Sequence, residues 1–172
     1  IEHMFVVGID PGLTRCGFGA VRSNLDSTEK FSAERAGVIA TPPADSVERR
    51  LAALHVDLSE LFDELRPDVV VVERVFFQRN AKTAIGVAQA AGVAIALAGI
   101  REIEVVQYTA QEVKMAVTGY GAAAKSQVQA MVARHCQLAE VPEPPDAADA
   151  LGLAVTHLMN IRTMRRMTAV TL

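Results

Sequence analysis

The chain has 172 residues, of which 51% are hydrophobic and 22% are charged, and this suits one compact domain with a sizeable core. A net charge of −3 excludes a protein that coats nucleic acid through bulk positive charge, so any contact with DNA has to be local. The two cysteines have neither the number nor the spacing of a disulfide framework or a zinc site, and we see no transmembrane run and no signal peptide, which predicts a cytoplasmic protein.

Residues 1–3 precede a methionine that opens an apolar run. We interpret Ile1 to His3 as a cloning remnant and exclude it from the fold. We therefore expect a single domain over residues 4–166 and a short tail over residues 167–172.

The first predicted elements form a hairpin with an acid at its mouth. Phe5 to Asp10 is an apolar run that ends in a carboxylate, Pro11-Gly12 breaks the chain, and Cys16 to Val21 resumes as a second strand. A third strand is expected from Glu34 to Ala40. A helix with leucines at helical spacing should follow from about Ser46 to Leu65.

A central strand comes next and also ends in an acid. Val69 to Glu73 contains four successive valines, which is typical of a strand covered by helices on both faces. The remaining predicted elements are a helix from Asn80 to Ala98, a strand from Val105 to Tyr108, and helices over Ala110 to Val117, Ala123 to Cys136 and Asp146 to Asn160. The basic residues 162–166 are expected to be helical or frayed.

This order of elements predicts the fold class. Hairpin strands followed by alternating strands and helices indicate an α/β fold with a mixed sheet of about five strands flanked by helices. In such sheets, reactive groups gather where the strand ends open a crevice.

Four acids are candidates for one metal site. Asp10 and Glu73 end apolar strands, and Asp146 and Asp149 lie three residues apart on one face of the last predicted helix. If the two strands are neighbours, the four carboxylates converge, and this oxygen-only set suits Mg²⁺ or Mn²⁺ rather than zinc. Two such ions would support phosphodiester hydrolysis by activating water and stabilising the leaving oxygen.

Three of these acids also have structural alternatives. Asp10, placed before Pro11-Gly12, is able to cap the hairpin turn, and Asp146 with Asp149 is able to cap the start of the last helix. Glu73 at the end of a four-valine strand is harder to explain structurally. The joint pattern of the four acids therefore carries the prediction of a metal site.

Four motifs together resemble the RuvC family of bacterial Holliday-junction resolvases, and the resemblance extends from Met4 to about His157. The motifs are Gly8-Ile9-Asp10-Pro11-Gly12, Glu73-Arg74-Val75-Phe76, Lys125-Ser126-Gln127-Val128 and Asp146-Ala147-Ala148-Asp149-Ala150-Leu151. The resemblance implies a ribonuclease-H-like fold, a homodimer, and paired symmetric nicks in four-way junction DNA. It also implies two Mg²⁺ or Mn²⁺ ions per active site, held by the four acids, and a branch-migration helicase complex as a partner. The stretch from Ser23 to Glu34 and the tail after Arg166 match the family poorly.

Two lysines are DNA-binding candidates through the same resemblance. Lys114 and Lys125 match family lysines that approach the DNA or the scissile phosphate. Lys125 follows the glycine-rich Gly119-Tyr120-Gly121, which favours a contact with the DNA backbone over an ordinary exposed lysine at a helix start.

The segment after Glu73 places two aromatic residues among cations. Aromatic side chains stack on unpaired bases, and cations neutralise phosphates, so this composition suits an opened junction centre. We expect one phenylalanine to be buried and Phe76 to meet the DNA. The DNA-binding candidates of this segment are Arg74, Phe76, Phe77, Arg79 and Lys82.

The predicted helix from Asn80 to Ala98 is apolar on almost every side, and Gly86 and Gly92 permit close approach. A single domain buries only one side of such a surface helix. The other side therefore predicts a two-fold dimer, with a fully interior helix as the alternative.

Three other functions compete with a junction nuclease. The motif Gly8 to Gly12 followed by Thr14 and Gly17 resembles the phosphate loop of ATP-binding proteins of the actin and sugar-kinase type, but those proteins need two such domains and this chain is too short. A junction-binding module without catalysis would not need four intact carboxylates. A nuclease of the same fold that acts on RNA–DNA hybrids stays open as the third alternative.

Overall fold

Five strands form one mixed sheet in the computed structural model, which describes residues 2–26, 30–75 and 81–170, the last range without the side chains of residues 81–83 and 170. The strands are β1 (His3–Asp10), β2 (Arg15–Asn24), β3 (Ser32–Ala40), β4 (Val69–Glu73) and β5 (Glu104–Tyr108). Their order in the sheet is β3-β2-β1-β4-β5. The pairs β1–β2 and β2–β3 are antiparallel, whereas β1–β4 and β4–β5 are parallel, so the predicted mixed sheet of five strands is confirmed.

Helices cover both faces of this sheet. The helices are α1 (Val47–Leu65), α2 (Ala81–Ile100), α3 (Ala110–Thr118), α4 (Lys125–His135) and α5 (Pro145–Val170). On one face, α1 and α2 pack against Val70 and Val72 of β4; on the other face, α3, α4 and α5 pack against Val69 and Val71. The four valines are therefore buried in two separate cores, which explains why the strand shows no polar alternation.

Glycines of β1 and β2 allow α5 to lie directly on the sheet. A Cβ atom at Gly8 would overlap the backbone oxygen of Ala150, and one at Gly17 would overlap the backbone oxygen of Asp146. The main chain of α5 thus approaches the sheet more closely than side chains would permit. This close approach brings the first turns of α5 to the strand ends where the hairpin opens.

Two boundaries differ from the sequence prediction. The last helix continues from Asn160 to Val170, because no glycine or proline interrupts residues 160–170 and arginine and methionine favour helices. His3 is the first residue of β1 and pairs with Asn24, so this residue belongs to the sheet although we excluded it from the fold. No helix in the described part of the chain is long and apolar enough to cross a membrane.

Candidate active site

The acids of the two central strands lie side by side. In the parallel pair β1–β4, Ile9 is opposite Val72, so the next residues, Asp10 and Glu73, end neighbouring strands at one edge of the sheet. Their side chains are hydrogen-bonded to each other. A hydrogen bond between two carboxyl groups forms only when one of them carries a proton. Asp10 is therefore bonded to Glu73 in addition to standing before the hairpin turn.

Burial and like charge disfavour ionisation of this pair. Burial, which is the largest cause, and the negative charges of Glu73, Asp149 and Asp146 together raise the pKa of Asp10 from its usual 3.8 to about 8. Burial is also the main cause of the raised pKa of Glu73, while the hydrogen bond from Asp10 opposes that rise. The site thus brings several acidic side chains together in a partly buried position, where ionisation of all of them is unfavourable.

The two acids of α5 are bound to polar side chains of other elements. The Nε atom of Arg15, the first residue of β2, donates to the Oδ2 atom of Asp146 over 3.0 Å. The Nζ atom of Lys125 lies 2.5 Å from the Oδ2 atom of Asp149, and the Nε2 atom of Gln129 donates to the Oδ1 atom of Asp149 over 3.1 Å. Asp146 lies inside the first turn of α5, which begins at Pro145, and its carboxylate faces β2.

An open cavity of about 300 Å³ joins most of these groups. Its polar walls are Asp10, Glu73, Asp149, Lys114 and Lys125, and its apolar walls are Ala110, Val113, Val128 and Leu153. Asp146 is not in this wall, but it is close enough for its charge to raise the pKa of Asp10. The structure therefore brings all four predicted acids and both predicted lysines to one end of the sheet.

The donor set fits a hard divalent cation, although the acids do not form a closed cage. Among the described residues, no three His, Cys, Asp or Glu side chains are grouped tightly enough to hold a metal ion. The carboxylates of α5 are instead engaged by Arg15, Lys125 and Gln129. Repulsion between carboxylates opposes ionisation of Asp10 and Glu73, and a cation bound to their oxygen atoms would relieve that repulsion.

Arg15 and Gln129 are site residues that the sequence prediction missed. Gln129 lies four residues after Lys125 on α4, and this helical spacing was a usable signal because it places both side chains on one face. Arg15 carries no such signal, since its contact with Asp146 joins residues 131 positions apart.

Arg74 is the candidate of the β4–α2 segment whose side chain the structure describes. Its backbone N–H donates to the carbonyl of Tyr108, and its exposed guanidinium lies 3.4 Å from the carbonyl oxygen of Gln107. The other predicted DNA contacts of this segment, Phe76, Phe77, Arg79 and the side chain of Lys82, lie outside the described residues.

His157, another titratable group near the site, is structural. His157 is 4% exposed, and its Nδ1 atom lies 3.1 Å from the hydroxyl of Tyr108. Burial lowers the pKa of His157, which favours the neutral ring. His157 is thus a core residue.

Comparisons with known proteins agree with this geometry. A family model described as crossover junction endodeoxyribonuclease RuvC matches residues 6–157. The chain is 50% identical to the protein of that name from Salinispora arenicola over 167 residues, covering 96% of this chain and 94% of the relative. It is 49% identical to the Frankia alni protein of that name over 166 residues, covering 96% of this chain and 83% of the relative. The solved structure of T. thermophilus RuvC in complex with Holliday junction substrate superimposes with a TM-score of 0.87 at 35% identity, covering 94% of this chain and 96% of that chain. The ribonuclease-H-like fold is thereby confirmed.

Proposed function

Because the chain belongs to the RuvC family of crossover junction endodeoxyribonucleases, we propose that it binds four-way DNA junctions and cuts them at the acidic end of its sheet. In this proposal, paired symmetric nicks resolve the junction during recombination and repair. The observation that carries the proposal is the meeting of Asp10 and Glu73 at neighbouring strand ends, with Asp149 and two lysines around the same cavity.

The reaction depends on divalent metal ions in this family, and we propose that two Mg²⁺ or Mn²⁺ ions bind here. Asp10, Glu73, Asp146 and Asp149 would hold them through carboxylate oxygens. When bound, such ions lower the pKa of the attacking water and neutralise charge on the leaving oxygen. The protein supplies the oxygen ligands and, through the apolar walls of the cavity, a partly dehydrated environment in which these charges interact more strongly.

Cations around the cavity are suited to hold the DNA backbone. Lys114 and Lys125 line the cavity, and we propose that they contact phosphates beside the cleaved bond. Arg74 immediately follows Glu73 and is exposed. Together with Phe76, Phe77, Arg79 and Lys82, it would form the surface that meets the opened junction centre.

The exposed side of α2 supports a homodimer. Ala90, Ala94 and Leu97 are buried against the sheet and α1, so the helix is not fully interior. The opposite side presents an exposed stripe at helical spacing, formed by Ile85, Gln89, Gly92, Ala96 and Ile100. We call these five residues the α2 stripe. Ile85 is 54% exposed and Ile100 is 74% exposed, and a two-fold partner would cover them while matching the symmetry of the junction.

Two further parts of the proposal rest on the family rather than on contacts of this chain. We expect a branch-migration helicase complex to work on the same junction. We also expect the protein to act in the cytoplasm, and the free, buried state of Cys16 and Cys136 is compatible with a reducing compartment.

Neutral variants of the strand acids test the catalytic part of the proposal. Asp10→Asn and Glu73→Gln keep the shape of each side chain but remove its charge, so both should reduce the rate of junction cutting by about a thousandfold or more. A matched control is Asp57→Asn, which changes an exposed acid of α1. Cutting is measured on a labelled four-way junction with Mg²⁺ or Mn²⁺, and binding is measured separately in chelator.

The expected pattern is loss of cutting with junction binding retained in the two site variants, and full activity in Asp57→Asn. Cutting by Asp10→Asn at the rate of the unchanged protein would contradict the assignment of the site. Tight junction binding without cutting by the unchanged protein under any metal would make the chain a recognition module.

A further inference from the structure

We propose that Lys125 forms an ion pair with the metal-binding oxygen of Asp149 in the free protein and exchanges it for a DNA phosphate when the substrate binds. This exchange leaves the oxygen of Asp149 free for a metal ion, so the metal site is complete only with substrate bound. This inference rests on the proposed function, because it concerns how the same site is controlled. It assigns two residues of α4 distinct tasks toward Asp149. Lys125 blocks one oxygen, and Gln129 positions the other.

Both oxygens of Asp149 are engaged by α4. The ammonium of Lys125 lies 2.5 Å from Oδ2, and the amide of Gln129 donates to Oδ1 over 3.1 Å. Gln129 is neutral, so it is able to keep its hydrogen bond when the other oxygen binds a cation, as hydrogen-bonded ligands do in metal sites. Lys125 is a cation itself, and it competes directly with a metal ion for Oδ2.

The ion pair is placed where it opens at little cost. The side chain of Lys125 is 63% exposed, while that of Asp149 is 25% exposed. The lysine therefore approaches Asp149 from the solvent side, and rotation of its own side chain releases it without movement of α4. An ion pair with one exposed partner contributes little net stability, so another anion is able to replace the carboxylate at the lysine.

Lys125 is also the first residue of α4, and this favours exchange to a phosphate. The first turn of α4 contains no acidic residue, so no anion of the helix itself balances the ammonium. Unbonded backbone N–H groups at the start of a helix attract negative charge. An anion that contacts both these N–H groups and the ammonium of Lys125 would be bound more tightly than by the ammonium alone. The DNA backbone would provide such an anion at the cavity that Lys125 lines.

Lys114 provides a matched comparison within the same cavity. It lines the same wall and carries the same charge. Among the ion pairs of the described residues, however, none involves Lys114. Loss of Lys114 would thus remove background charge without freeing an oxygen of Asp149.

The first test measures the binding of Mn²⁺ alone to the protein without DNA, by calorimetry or by the electron paramagnetic resonance of free Mn²⁺. Lys125→Met should strengthen binding about three- to tenfold, whereas Lys114→Met should strengthen it about twofold or less. Adding Asp149→Asn to Lys125→Met should abolish the gain, because the freed oxygen is then absent. Unchanged thermal unfolding of the two lysine variants confirms that they are folded.

The second test measures junction binding in chelator, where no cutting takes place. If Lys125 moves to a phosphate, Lys125→Met should lower the slope of log affinity against log salt concentration by about one. An unchanged slope would overturn the exchange. Equal strengthening of Mn²⁺ binding by both lysine variants, or no strengthening by Lys125→Met, would overturn the blocking role.

These outcomes are separate from failure of the proposed function. If the unchanged protein binds Mn²⁺ and cuts junctions but Lys125→Met binds Mn²⁺ no more tightly, the nuclease assignment stands and the blocking role of Lys125 is wrong. If no variant binds Mn²⁺ without DNA, the blocking role of Lys125 is wrong, whereas the nuclease assignment fails only if the unchanged protein does not cut junctions.

Discussion

Asp10 combines burial with three neighbouring negative charges, and its carboxyl group therefore ionises with difficulty. A carboxylate kept in such surroundings lowers the stability of the folded chain unless a cation balances it. A metal ion at the proposed site would relieve this repulsion between the acids.

This gives a prediction for the stability of the metal-free protein against pH. The pKa of Asp10 is raised to about 8 in the folded state and is near 3.8 in the unfolded chain, so between these values the folded state holds the extra proton. Stability contributed by that proton is present at low pH and is lost as pH rises toward 8. The unfolding free energy of the unchanged protein should therefore decrease between about pH 5 and about pH 8. In Asp10→Asn, which lacks this titrating group, the decrease should be smaller by about 1–3 kcal/mol.

The measurement is chemical unfolding in chelator at both pH values, with Asp57→Asn as the control. Parallel losses in Asp10→Asn and the unchanged protein would show that Asp10 is not the titrating group. Added Mn²⁺ should reduce the pH dependence of the unchanged protein, since the ion stabilises the ionised form.

At the residue scale, the sequence predicted the acids but not their partners. Asp10 and Glu73 could be predicted as site residues because each ends an apolar strand, and charged side chains are rare in such buried surroundings. Arg15 was not visible, because its contact with Asp146 depends on how α5 crosses β2. Such a contact is set by tertiary packing, which no local pattern encodes.

At the scale of elements, the position of α5 on the sheet decides whether its acids reach the strand ends. Gly8→Ala would place a methyl group against the backbone oxygen of Ala150. Because this oxygen belongs to the main chain, no change of side-chain rotamer relieves the clash. We expect a loss of about 1–3 kcal/mol or more in unfolding free energy. Junction cutting should also fall below detection at temperatures where the variant is folded, because Asp146 and Asp149 move away from Asp10.

Gly99→Ala is the matched control, since a Cβ atom at Gly99 of α2 would have no neighbour within 4 Å. This variant should be equally or slightly more stable, by up to about 1 kcal/mol, because alanine favours helices. Thermal unfolding and junction cutting are measured on both variants. Full cutting by a folded Gly8→Ala protein would refute the packing argument.

The helices and strands themselves were largely predictable. The valine run, the leucine spacing of α1 and the breaks at Pro11-Gly12 are local signals, and the structure confirms these elements. The last predicted helix ended at Asn160, with residues 162–166 expected to be helical or frayed, and the structure shows helix through Val170. The order of strands in the sheet was less accessible, since the pairing of β1 with β4 joins distant segments.

At the scale of the whole molecule, the α2 stripe tests the assembly. Ala96→Glu places a charge in the centre of the stripe, where a two-fold partner would bury it, so a dimer should dissociate to monomers. Ala53→Glu changes an exposed alanine of α1 and should leave the dimer intact. Sedimentation velocity at micromolar concentration distinguishes the two states. A monomer in the unchanged protein at that concentration would remove the dimer from the account.

Selectivity for the shape of a four-way junction distinguishes a junction-resolving nuclease from other nucleases of this fold. The most direct measurement incubates the protein with Mg²⁺ or Mn²⁺ and three labelled substrates: a four-way junction, a linear duplex of matched sequence, and an RNA–DNA hybrid. We expect paired nicks in the junction alone, lost when chelator is added. Cutting of the hybrid in preference to the junction would contradict junction selectivity and would make the chain a different nuclease of the same fold.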